Sequence, residues 1–151
     1  METYREHALE GASAVELVVA LYDGIIRFLY QAVDAAERGD VEARRNAVKR
    51  ALDILIHLQA RLRMDIGGRP AQVLSEFYAS IFAQILQASQ SASVYKLKHA
   101  IDCVRNVRDA WREVAKDPAA GTGSGPAKMP EKPRVESEIP YSQPRSSIWT
   151  A

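Results

Sequence analysis

The chain has 151 residues, enough for one domain with a real core and too few for two ordinary ones. It carries 20 Lys and Arg against 19 Asp and Glu, for a net charge of +1. That balance argues against nucleic acid as the main partner, because phosphate binding needs a basic excess on some face. A single cysteine, Cys103, excludes an internal disulfide and any multi-cysteine metal site. No basic segment precedes an apolar run, and no apolar run approaches the roughly 18 residues of a membrane span. The expectation is a cytoplasmic protein with no membrane insertion.

Six of the seven prolines lie after residue 116, in a stretch that is also poor in apolar residues. The chain therefore divides into an N-terminal segment (1–12), a bundle domain (13–116) and a Pro/Gly-rich tail (117–151) expected to be disordered. The N-terminal segment holds a short helical stretch from Tyr4 to Leu9, ended by Gly11. A first long helix is predicted over 13–38, with Ser13 and Glu16 as a capping box and Gly39 as its left-handed terminator. A second runs over 40–66, capped by Asp40 and stopped by Gly67, with a stripe of Val41, Val48, Leu52, Leu55, Leu62 and Ile66. The third starts near Arg69, with Pro70 in its first turn, and presents Val73, Leu74, Phe77, Tyr78, Ile81, Phe82, Ile85 and Leu86. The fourth spans 93–116 with a stripe of Val94, Leu97, Ile101, Val104, Arg108, Trp111 and Ala115, Arg108 laying its stem on the stripe with its head in water. No segment alternates with period two. Short connections between long helices predict an all-α, antiparallel up-down four-helix bundle.

The apolar residues exceed what such a bundle needs. A core-facing helix uses about three positions in seven. From Val15 to Ala36, 16 of 22 residues are apolar, and from Val73 to Ala88, 11 of 16 are. The first and third helices thus carry a surplus. Alanine tolerance explains part of it. For the bulky remainder two readings compete: the segment from Tyr4 to Leu9 folds over part of the surface, or the surplus forms a groove for a partner's amphipathic segment.

Chemistry is harder to find. His7, His57 and His99 form no Glu-x-x-His pair and no i, i+4 pair of ligands. The stretch from Gly121 to Lys128 has the glycines of a phosphate loop, but no strand precedes it, no Ser or Thr follows Lys128, and prolines crowd its end. It reads as a linker. No catalytic, cofactor-binding or metal-binding residue is assigned, and no enzyme activity is expected.

With the helices placed, the segment Ala12 to Leu29, and the Leu21-Tyr22-Asp23-Gly24 element in particular, resembles the signature helix of the FliS family of flagellar export chaperones. Gly39-Asp40, Arg50 to Leu55, Gly67-Gly68, Leu74 to Tyr78 and Val107 to Trp111 resemble later family elements in the right order, so the likeness covers about residues 4–115. Ala14 departs from it, since the family usually has proline there.

The resemblance implies a cytoplasmic chaperone, without nucleotide or metal cofactor. It binds the disordered C-terminal segment of flagellin as a monomer, one to one, and blocks premature polymerisation. It then hands the client to the flagellar type III export apparatus. The export gate, a co-chaperone and an anti-sigma factor are further partners it brings into view. The client-binding candidates are Leu17, Leu21, Tyr22, Ile25 and Phe28 on the first helix, followed by Leu58, Tyr78 and Ile85, each of which could equally serve as core. Tyr4 and Leu9, ahead of a hinge at Gly11, are read as a lid over the groove, against the alternative of a frayed terminus.

Overall fold

The computed structural model describes residues 2–63 and 67–116, with side chains from residue 14 onward, Ala115 aside. The readings that fall on Ile66, on the tail 117–151, and on the side chains of Tyr4, Leu9 and Ser13 lie outside the described residues. Four helices make up the described chain: α1 (Glu2–Arg38), α2 (Val41–Ala60), α3 (Gly68–Gln90) and α4 (Val94–Lys116). α1 packs along α2 and α4, and α3 closes the square against the same two, so α1 and α3 face each other across the diagonal. This is the expected up-down bundle.

The turns are built by specific groups. At the end of α1, the Gly39 N–H bonds to the Ala36 carbonyl (3.1 Å) and the Asp40 N–H to the Ala35 carbonyl (2.9 Å), a Schellman closure with Gly39 at φ +72°. Asp40 then turns cap: its carboxylate accepts the Ala43 N–H at 3.0 Å. α3 ends by the same closure. The Ala92 N–H bonds to the Ser89 carbonyl and the Ser93 N–H to the Ala88 carbonyl, both at 3.0 Å. Here the left-handed residue is Ala92 (φ +49°), which has a β-carbon to accommodate. Ser93 caps α4, its hydroxyl accepting the Lys96 N–H at 3.1 Å.

Several boundaries differ from expectation. The N-terminal segment is helical but forms no separate element. The α1 backbone runs through Gly11 and Ser13 without a break, so there is no helix start at 13 and no terminator at 11. The residues ahead of Gly11 are mostly good helix formers, and one interior glycine costs only about 1 kcal/mol. Ala14 contributes too, because it keeps the backbone N–H that a proline would lack. α2 ends at Ala60, earlier than predicted. There the Arg61 N–H is shared between the His57 and Leu58 carbonyls and the Leu62 N–H moves to Gln59, so the last turn tightens. Gly67 stands ahead of α3 instead of stopping α2. Val41, placed on the α2 stripe, is 46% exposed, because it sits in the first turn outside the seam.

The core runs the length of the bundle. Ile25 and Leu29 of α1, Leu55 of α2, Ile81 and Ile85 of α3, and Leu97, Ile101 and Val104 of α4 are all but fully buried. Trp111 is half-buried at the core's edge. The Arg108 head is not left in water: its side chain is 16% exposed and pairs with Asp23 across the α1–α4 seam at 2.9 Å.

Candidate apolar binding groove

The element Leu21-Tyr22-Asp23-Gly24 fastens α1 to its three neighbours. Leu21 is half-buried against the core. Tyr22 is fully buried and its hydroxyl lies 2.6 Å from that of Tyr78, a hydrogen bond across the diagonal to α3. Burial pushes both phenols above their usual range, more strongly for Tyr22, where the second tyrosine adds to the effect. The Trp111 indole N–H lies near enough to favour ionised Tyr22, yet it meets no hydrogen-bond geometry. Asp23 reaches α4, accepting from Arg108 at 2.9 Å and Arg112 at 3.5 Å. Gly24 faces α2: a β-carbon there would stand 3.0 Å from Ile54 Cδ1. Three consecutive residues thus bind α1 to α3, α4 and α2 in turn. A second tie joins α4 to α1, where Arg105 donates to the Tyr30 hydroxyl.

This role consumes much of the predicted site. Tyr22, Ile25 and Ile85 have no exposed surface, and Leu58 and Tyr78 are 3% and 4% exposed. All five belong to the core, and of them only Tyr78 borders open space, at the wall of a hollow between α2 and α3. Leu58, Tyr78 and Ile85 sit on the inward faces of α2 and α3, and for Tyr22 and Ile25 the reason is the position of α1. It packs on two helices and reaches a third across the diagonal, so a second apolar face is absorbed where the three-in-seven rule allows for one. Three candidates remain at or near the surface. Leu17 is 41% exposed, Leu21 is half-buried, and Phe28 is half-buried with the guanidiniums of Arg27 and Arg50 at 5.4 and 5.7 Å from its ring centroid.

The open apolar surface lies elsewhere. Two hollows of about 500 and 520 Å³ follow each other along the seam between α2 and α3, with Ile56 and Phe82 lining both. Ile56 is 55% exposed and Leu86 39%. Toward the start of α2 the groove is walled by Arg44, Arg45 and Lys49. Toward the end of α2 it is neutral, with Gln59, Ala60, Tyr78 and Ala79.

Sequence reasoning missed Ile56, Phe82 and Leu86 as site residues. The signal was present. Ile54, Leu55 and Ile56 are consecutive, and successive residues on a helix cannot share one face. With Ile54 turned to Gly24 and Leu55 in the core, Ile56 has to face out. Phe82 and Leu86 are four apart and form one row on α3.

No group of three potential metal ligands occurs among the described residues. Cys103 is half-buried with its sulfur 3.8 Å from His99 Nε2, and burial raises its thiol pKa.

Four antiparallel helices that leave a long apolar trough between two of them define a helical binding module. The comparisons give that class its family. A model described as "Flagellar protein FliS" matches residues 1–118. The chain is 31% identical over 106 residues to the flagellar secretion chaperone FliS of Vibrio cholerae, covering 70% of this chain and 78% of that one. It is 31% identical over 111 residues to its counterpart in Salmonella typhimurium, covering 73% and 82%. Against the one in Campylobacter jejuni it is 32% identical over 102 residues, covering 68% and 80%. The chain belongs to the FliS family of flagellar secretion chaperones. These relatives are named as chaperones, not as enzymes. No helix among the described residues is long and apolar enough to cross a membrane.

Proposed function

We propose that this chain is a cytoplasmic export chaperone that binds the disordered C-terminal segment of flagellin, keeps it from polymerising early and passes it to the flagellar type III export apparatus. The observation that carries this reading is the apolar row formed by the exposed Ile56 and Leu86 and the half-buried Phe82 along the α2–α3 seam of a FliS-family bundle. A disordered amphipathic segment can fold locally into such a trough, its ordering entropy offset by the area it buries. Ile56, Phe82 and Leu86 are the main anchors. Leu17, Leu21 and Phe28 extend the contact over α1, as a client longer than one helix would require. Binding is one to one and needs neither nucleotide nor metal. To act as a lid, residues 1–12 with Tyr4 and Leu9 have to bend at Gly11 away from the continuous α1 helix and fold back over the α1 part of this surface. The export gate, a co-chaperone and an anti-sigma factor are the candidate further partners.

Calorimetric titration of the full chain with the C-terminal flagellin segment of the same organism tests the reading. The expected result is one-to-one binding with a negative heat-capacity change. A folded bundle that shows no binding at tens of micromolar overturns it. For the lid, deletion of residues 1–10 should tighten binding, and unchanged or weaker affinity removes that part.

A further inference from the structure

The groove is not uniform, and the difference between its ends lies in a charge that nothing among the described residues balances. Arg44, in the second turn of α2, is only 9% exposed and lines the groove. Its Nε is buried without a hydrogen-bond partner, and no ion pair to it occurs among the described residues. The terminal guanidinium nitrogens make no bond among the described residues either but keep some contact with solvent, so the charge is partly desolvated at the groove wall, where a carboxylate is its ordinary match.

The neighbours do not supply one at close range. Arg45 and Lys49 wall the same end and add to the positive field. Asp53, which also lines the hollow, is nine residues further along α2 and makes no ion pair with Arg44. The last carbonyls of α3 are engaged with their own closure: Gln87 accepts from Ser91, Ala88 from Ser93 and Ser89 from Ala92. The N-terminal end of α2 adds a partial positive charge of its own.

We propose that Arg44 anchors a carboxylate of the client, so that the α2–α3 groove takes an acidic–apolar amphipathic segment in one direction only. This rests on the reading of that groove as the client site. The occupant is specified by the lining: an acidic side chain or terminal carboxylate at the Arg44 end, and apolar residues facing Ile56, Phe82 and Leu86. Twelve residues separate Arg44 from Ile56, which is about 18 Å along a helix. The matching carboxylate therefore sits about three helical turns from the residue that meets Ile56.

Two probes decide the matter in the full chain. One is the flagellin C-terminal segment. The other is a designed helical peptide with leucines at three- and four-residue spacing and one glutamate, placed near either its N-terminal or its C-terminal end, with glutamine versions as controls. One glutamate placement should bind about tenfold or more tighter than its glutamine control, and Arg44→Met should abolish that preference. In the flagellin segment, one acid-to-amide replacement should show the same non-additive coupling to Arg44→Met.

Equal binding of glutamate and glutamine peptides, or a preference that survives Arg44→Met, overturns the anchor. Equal preference for both placements overturns the single direction. If flagellin binds without sensing Arg44 and the designed peptide does likewise, this proposal fails and the client reading stands. If flagellin does not bind but the designed peptide senses Arg44, the client reading fails and the anchor stands. If neither probe binds, both fail. Should Arg44→Met tighten binding, and Glu136→Gln with Glu138→Gln do the same, the carboxylate comes from the chain's own tail and the proposal is overturned. Thermal unfolding guards against a structural role: Arg44→Met should melt no lower than the native chain, and a lower melting temperature identifies Arg44 as a tie within the bundle and overturns the anchor.

Discussion

On its α1 side, α2 is held closely. Gly24 leaves room for Ile54, and the two helices run in contact along most of α2. On its α3 side the contact is sparser, and two hollows open beside Ile56, Phe82 and Leu86. Both seams are apolar. What separates them is whether the gap beside a small residue is filled. At the α1 seam Ile54 fills the gap that Gly24 leaves, whereas along α3 no side chain among the described residues fills the space beside Ala60 and Ala79. Hydrophobic content alone therefore does not mark a binding face. The distinction lies in whether the neighbouring helix offers a complementary side chain.

Substitutions on the two sides should separate sharply. The largest effect belongs to the closed side: Ile25→Ala, in the fully buried core, should lower unfolding free energy by about 2–5 kcal/mol in chemical denaturation. A loss under 1 kcal/mol would mean that α1 is not the close-packed centre described here.

The tyrosine pair comes next. Tyr22→Phe or Tyr78→Phe alone leaves a buried hydroxyl without its partner and should cost about 1–3 kcal/mol, while the double replacement should cost less than the sum of the two. The pair also sets an alkaline limit. Both phenols titrate above the ordinary value of 10.0 when folded. The unfolded chain therefore loses these protons first as pH rises, so stability is intact below about pH 10 and falls above it, by up to about 1.4 kcal/mol per pH unit for each tyrosine. The double phenylalanine variant should flatten that decline, and an unchanged slope would remove the tyrosines as its cause.

A smaller change is expected at the α3 terminus. Ala92→Gly relieves a left-handed alanine and should add about 0.5–1 kcal/mol. The smallest stability effect falls on the open side. Ile56→Ser should shift unfolding by no more than about 0.5 kcal/mol yet weaken flagellin binding about tenfold or more. If Ile56→Ser destabilises the bundle as much as Ile25→Ala, the seam is closed core and the comparison fails.

The helices and most of their ends were legible from short-range chemistry. Gly39, Asp40 and Ser93 act where their side chains, or the lack of one, dictate. The Ala92 turn was not legible, because alanine gives no local hint of a positive φ. The start of α1 was misplaced because Ser13 with Glu16 forms a valid capping pattern that the continuing helix simply overrides. The site was harder. An excess of apolar residues on α1 is visible in the sequence, but whether a face is spent on one neighbour or three depends on the packing diagram. Tyr22, Ile25, Leu58, Tyr78 and Ile85 fell on the core side of that ambiguity. Ile56 on α2, a helix with no overall excess, fell on the other.

The basic wall of the groove has a consequence for crowding. An exposed apolar trough would ordinarily invite another copy of the same chain to cover it. Two copies meeting trough to trough with their basic ends together would set Arg44, Arg45 and Lys49 against their own duplicates, with only Asp53 in each lining to offset them. Like charges brought into a partly dry interface repel. The groove thereby discriminates between an acidic guest and its own kind, and it can stay open for one without self-associating through that pairing.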